Sequence, residues 1–187
     1  MTLASIMKLA LRQLDEAAED IAEYEELFRS YANMGYMIAI RLFYRPRETF
    51  ALTTDEKGRA EIRALPIRRV IRVQNEQGRE IGFELAADGA ALETGEREKE
   101  ISVLCEVERE ALMQATDEPQ LPQYAHAALA DYICYRHLSS GNLSKQSRAE
   151  FFRQSFYQQM RALNYEGEGS VTRMKNLYTV TDGRYRR

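Results

Sequence analysis

The sequence predicts an α+β fold: a helical bundle of N-terminal helices plus a C-terminal helical hairpin, with an inserted small antiparallel β domain and an extended C-terminal arm. Three observations lead there. Apolar residues recur at helical spacing at both ends, the middle switches to strand-like alternation, and the break Ser-Ser-Gly-Asn at 139–142 splits the last helical stretch in two. At 187 residues the chain can bury one ordinary core, or one core plus a small appended subdomain. Charged residues at 29% and apolar residues at 44% fit a globular protein. No apolar run approaches the ~20 residues of a membrane-spanning helix, and residues 1–8 lack the charged start and apolar block of a secretion signal.

Leu3, Ile6, Met7, Ala10, Leu11 and Leu14 mark a short amphipathic helix. In a longer one, Ile21, Tyr24, Phe28, Tyr31, Gly35, Ile38 and Leu42 step by three and four. Such a seam, of period about 3.5, packs on another helix of the chain or on a neighbouring copy. Glycine costs roughly 1 kcal/mol relative to alanine inside a helix, so Gly35 marks either a close approach or a plain tolerated glycine. Pro46 ends the helix because proline disfavours helical geometry in the residue before it.

The period then changes. Phe50 and Leu52 alternate, 55–58 turns, and Ala60, Ile62 and Ala64 alternate again. The β-branched run 67–73 carries Arg68, Arg69 and Arg72, as a half-buried strand would. Turns at 75–78 and 88–89 flank Ile81, Phe83 and Leu85, and 90–93 follows before a charged loop at 94–100. Ile101, Val103, Cys105 and Val107 alternate with Ser102, Leu104 and Glu106. Short sequential strands joined by turns imply an antiparallel meander or a small sandwich.

The connector 116–123, with Pro119 and Pro122, leads into the hairpin. Its first helix uses Ala125, Ala128, Leu129, Tyr132, Ile133 and Arg136 on one side. The second begins near Ser144, and the Ser147-Arg-Ala-Glu150 spacing of a capping box makes either serine a candidate cap. Ala149, Phe152, Phe156, Met160 and Leu163 form its stripe, each large member being worth ~1.5–3 kcal/mol when fully buried. Beyond Gly167 and Gly169 the pattern lapses into an arm with a β-like piece at 177–181. The expected division is 1–46 for the N-terminal helices, 47–110 for the β domain, 111–169 for connector and hairpin, and 170–187 for the arm.

The layout points to docking and assembly rather than chemistry. There is no G-x-S-x-G, no H-E-x-x-H and no glycine-rich phosphate loop. His126 and His137 stand three helical turns apart, too far to share a metal. Cys134 and His137 are neighbours at i, i+3, but no further histidine exists to complete a zinc site. No metal or cofactor is expected, and Cys105 and Cys134 read as reduced thiols. Glu96, Glu98, Glu100, Glu106, Glu108 and Glu110 read as exposed positions.

The net charge of −3 conceals two poles. Residues 15–26 hold Asp15, Glu16, Glu19, Asp20, Glu23, Glu25 and Glu26 with no basic residue. The arm sets Arg173, Lys175, Arg184, Arg186 and Arg187 against Asp182 alone, a net +4 that leaves −7 on the rest. Opposite poles can steer copies head to tail, or steer the arm to an acidic partner. Alternatively, Arg68, Arg69 and Arg72 or the arm neutralise phosphates in a non-specific nucleic-acid-binding or regulatory module.

Residues 117–122 (Asp-Glu-Pro-Gln-Leu-Pro), 124–132 (Tyr-Ala-His-Ala-Ala-Leu-Ala-Asp-Tyr), 136–138 (Arg-His-Leu), the loop 139–142 and 151–157 (Phe-Phe-Arg-Gln-Ser-Phe-Tyr) resemble the head-to-tail connector proteins of tailed bacteriophages, also called adaptor or head-completion proteins. The acidic helical start, the β insertion and the strand before the Leu-Pro helix follow the same order of elements. The resemblance implies a structural virion protein of the neck, assembled in the bacterial cytoplasm without a membrane. It implies a ring of identical copies, usually twelve, between the portal protein and a downstream tail or stopper protein, with packaged DNA passing through the channel. By the same analogy the arm docks on the portal through Arg173, Lys175, Leu177, Tyr178, Val180, Arg184, Tyr185, Arg186 and Arg187. Asp15, Glu16, Glu19, Asp20, Glu23 and Glu26 would form a subunit interface or an acidic channel border. The β segment here is long and charged compared with that pattern.

Overall fold

Helices and strands bury their apolar side chains in separate cores. The computed structural model describes residues 1–15, 21–139 and 143–167. In chain order these form α1 (Leu3–Leu14), α2 (Ile21–Ile38), a π-helical turn (Ala39–Tyr44), β1 (Arg47–Thr53), β2 (Arg59–Glu61), β3 (Ile67–Asn75), β4 (Glu80–Ile81), β5 (Phe83–Leu85), β6 (Ala91–Thr94) and β7 (Glu100–Val107). A 3-10 turn (Gln123–Ala125), α3 (His126–Leu138) and α4 (Leu143–Gly167) complete the series. The α+β class follows directly.

α3 is the axis of the helical body. Residues on all its sides are buried, including Ala128, Leu129, Ala130, Asp131, Tyr132, Ile133 and Cys134, because α1, α2 and α4 all pack against it. The sequence reading gave this helix one working side; its small alanines instead admit neighbours all round. α1 starts from Thr2, whose hydroxyl accepts the Ser5 N–H at 3.3 Å. The connector lies against α1 and α2: Leu3 N–H donates to Asp117 O at 2.8 Å, and Asn33 exchanges two bonds with the Leu112 backbone at 2.7 and 2.9 Å. Along α2 and the π turn, Phe28, Ala32, Gly35, Tyr36, Ala39 and Ile40 are buried, and Ile21, Tyr24, Tyr31 and Ile38 pack partly buried on the same core, so the period-3.5 seam meets the core along most of its length. Its last member, Leu42, is 54% exposed.

Two terminations differ from expectation. Before Pro46, Arg45 takes a left-handed conformation (φ 45°, ψ 64°), and its N–H donates to Ile40 O at 2.9 Å, closing the π turn. Proline still ends the helix by crowding the right-handed conformation of its predecessor, but the exit is left-handed rather than extended. In α4, Ser147 is no cap: its hydroxyl donates back to Leu143 O at 3.2 Å inside the helix, and Ser144 also follows the first helical residue.

The strands form an antiparallel four-stranded sheet in the order β1-β7-β3-β4 and an antiparallel three-stranded sheet in the order β2-β6-β5. Ile101, Val103, Cys105 and Val107 of β7 share a core with Val73 of the same sheet and with Ala60 and Leu92 of the other. This is the small sandwich of the two expected forms. The first strand pairs with the last, Phe50 opposite Val103, so the chain does not meander. β7 lies between β1 and β3, with a neighbour on each edge. Gly58 turns with φ 79°; a Cβ there would stand 2.4 Å from Thr94 O, so only glycine fits.

β7 also hands the chain back to the helices. Val107 N–H donates to Pro46 O at 2.9 Å and Glu108 N–H to Pro66 O at 2.8 Å. Arg68 Nη1 donates to Arg41 O at 2.9 Å, tying β3 to the π turn.

Candidate functional site

Asp131 ties the helical body together. Buried in α3, its Oδ1 accepts from Gln13 of α1 at 2.9 Å, and its Oδ2 accepts from Ser155 at 2.6 Å and Gln159 at 2.8 Å, both of α4. A buried carboxylate is costly unless its lone pairs are filled, and here three neutral donors fill them. Nothing in the spacing of a small-residue helix announced this role, because the donors come from positions 118 residues before and 24 and 28 after. Neighbouring Cys134 donates to Gln13 Oε1 at 3.2 Å. Burial pushes its thiol up to about 12, and burial alone pushes Cys105 up to about 11. Both cysteines are free and buried, as suits packing rather than nucleophilic chemistry.

The histidines serve the packing. His126 is buried, with Nε2 donating to Leu121 O at 2.9 Å and Nδ1 accepting from the Met1 amino group at 2.7 Å. His137 stands edge-on to Tyr24 and Phe28 with ring centroids 5.5 and 5.6 Å away. Among the described residues no group of three or more His, Cys, Asp or Glu is placed to hold a metal.

Among the described residues, three outward faces stand out. On α2 and the π turn after it, Leu27, Tyr31, Met34, Ile38 and Leu42 line one edge beside the buried stripe. Leu27 is 42%, Met34 41% and Leu42 54% exposed, and the Arg136 guanidinium lies 5.7 Å over the Tyr31 ring. One turn before Leu27, Glu23 is exposed, as are Glu25 and Glu26. The seam expected from the sequence shares Tyr31, Ile38 and Leu42 with this ridge but lacks Leu27 and Met34.

On α4, Leu143 is 82% and Phe151 68% exposed, while their neighbours Phe152, Phe156 and Met160 are buried. From Leu143 to Leu163 the helix carries Lys145, Arg148, Arg153 and Arg161 against Glu150 alone. Hydrogen bonds from Arg153, then from Gln154, hold the Glu150 carboxyl down to about 2.

The third face is the outer side of the four-stranded sheet. Arg47 of β1 and Arg69 of β3 flank Glu106 of β7 in register, and Arg72 flanks Leu104. Glu106 is therefore buried, contrary to its reading as an exposed position. Two arginines stand across the strands from it, and Arg68 Nη1 approaches its carboxylate at 3.9 Å. Glu96 and Glu108 are partly covered, and Glu98, Glu100 and Glu110 are exposed as expected.

Of the acidic group, Asp15 closes α1 with φ 65°, and its carboxylate accepts from Arg148 Nη2 at 2.8 Å, so it joins α1 to α4. Glu23 and Glu26 are exposed on α2; Glu16, Glu19 and Asp20 lie outside the described residues. The arm residues Arg173, Lys175, Leu177, Tyr178, Val180, Arg184, Tyr185, Arg186 and Arg187 lie outside them as well. Among the described residues no helix is long and apolar enough to cross a membrane. Compared with protein-family models and with curated proteins, the chain finds no match.

Proposed function

We propose that this chain is a structural virion protein, a head-to-tail connector that assembles as a ring, twelvefold by analogy, between the portal and the tail. The observation that supports this best is the inserted architecture. Helices from both sides of the β domain close one core around α3, while the strands keep a core of their own. That is the element order of the connector family, and a body of this kind offers outward helix faces to neighbours and a β domain free to meet another component. The ring prolongs the DNA channel, with an acidic helix start along its border, and 170–187 clasps the portal with its net positive charge. A downstream tail or stopper protein takes the opposite side, in the virion neck. Copies of one chain joined by a heterologous contact close into a ring when the rotation permits.

The test is electron microscopy of the full chain mixed with the portal protein encoded by the same genome. The expected result is a ring seated beneath the portal, lost when the chain ends at 169. Absence of any complex with the portal would overturn this reading.

Arg47, Arg69 and Arg72 on one open sheet face favour a second reading, a non-specific nucleic-acid-binding module. It predicts duplex binding that weakens steeply with salt and that fails once 170–187 and these arginines are removed.

A further inference from the structure

Two outward helix faces of this molecule complement each other. α2 and the π turn after it present a ridge of large apolar side chains, Leu27, Met34 and Leu42 at its crest, with the exposed Glu23 and Glu26 at the start of α2. α4 presents a strip of Ser147, Phe151, Gln154, Gln158 and Ala162, small or polar except for one exposed aromatic ring. Both follow the same spacing, four, three, four and four, so one row can lie along the other for several turns. Basic residues predominate along α4, where Arg161 is exposed beside the strip and Arg148, also exposed, is already paired with Asp15; acidic residues predominate at the start of α2. Each helix packs on α3, and the π turn after α2 also packs on α4.

The geometry points to a heterologous self-interface in which Phe151 and Leu143 of one copy seat on the Leu27–Met34–Leu42 ridge of the next. This rests on the reading above that identical copies assemble, and names the surfaces that do it. An aromatic side chain pressed into an apolar row at the centre of a contact is the usual energetic anchor of an interface. The acidic and basic flanks set the register and exclude the pairing of two α4 faces, which would oppose like charge. Because the two faces differ, a contact leaves one of each unfilled and passes the assembly on to another copy.

The test uses the full chain and the variants Met34→Glu and Phe151→Glu, followed by size-exclusion chromatography with light scattering. The wild type should assemble beyond two chains. Each variant alone should be monomeric, its self-association weakened at least about tenfold. An equimolar mixture should give a complex of two chains, because M34E keeps a sound α4 face and F151E a sound α2 ridge. If F151E dimerises alone, the ridge pairs with itself and the proposal is overturned. If either variant assembles as the wild type does, these surfaces are wrong while the assembly reading stands. A wild type that stays monomeric at every concentration, with or without portal, sinks both. Circular dichroism melting checks the folding of each variant, and the milder M34S and F151S repeat the test should a glutamate variant unfold.

Discussion

Gly35 lies flat against the ring of Tyr132: a Cβ built on it would stand 2.9 Å from both Cγ and Cδ1 of that side chain. α2 reaches α3 this closely only because the residue has no side chain. Gly35→Ala therefore sets an overpacking cost of roughly 1–3 kcal/mol against a helix-propensity gain of about 1 kcal/mol. The expected result is a net loss, read as a lower urea midpoint at unchanged slope. A stabilised variant would mean that Tyr132 swings aside freely.

Removing the Asp131 carboxylate takes the acceptor from the half-buried donors of Gln13, Ser155 and Gln159. Asp131→Ala should destabilise the protein by roughly 3 kcal/mol, since unsatisfied buried groups cost about 1–3 kcal/mol each and relaxation recovers part. Asp131→Asn keeps an acceptor oxygen and should lose less. Equal losses for the two in chemical denaturation would show that shape rather than hydrogen bonding matters at this position.

Adjacent aromatic residues of α4 should behave oppositely. Phe156 is fully buried against Tyr132, ring centroids 4.8 Å apart, and Phe156→Ala should cost about 3–5 kcal/mol. Phe152, at 7% exposure, belongs to the same stripe and should approach that cost. Phe151→Ala, on the exposed side, should change stability by no more than about 0.5 kcal/mol while weakening self-association. Thermal melting and light scattering on the same samples separate the two effects.

The buried thiols make stability fall in alkali. Burial raises Cys134 from 9.0 to about 12 and Cys105 from 9.0 to about 11, and burial raises Tyr36 and Tyr132 as well. The unfolded chain loses these protons first, so the contribution is complete below about 9 and is lost as pH rises toward 11 and 12. Denaturant midpoints measured from pH 8 to 10.5 should decline, and less so for Cys134→Ala relative to its own value at pH 8. Rapid thiol labelling of the native protein at pH 8 would contradict the burial of both cysteines.

Glu150 titrates the other way. Its carboxyl, lowered from 4.5 to about 2 by Arg153 and then Gln154, adds stability that is present above 4.5 and disappears as pH falls through about 2. The pair is exposed, so the effect is small and screened by salt. Carboxyl carbon NMR should show Glu150 still ionised at pH 3.5, and Arg153→Ala should return it toward the ordinary range.

Sequence by itself determined the kinds of elements and their order. Helical spacing at Leu3–Leu14 and along Ala149–Leu163, alternation in 101–107 and the left-handed turn glycines are local signals, written within a few residues by backbone geometry and side-chain size. It left Gly35 as either a close approach or a tolerated glycine, and did not name Tyr132. Only the tertiary structure decided that α3 is enclosed on all sides, that β1 pairs with β7, that Glu106 is buried between arginines and that Leu27 and Met34 stand outside. Periodicity records which side of an element is apolar, but not how many neighbours will cover it. Coverage is settled by segments a hundred residues apart, whose contacts stabilise one another only once they have met.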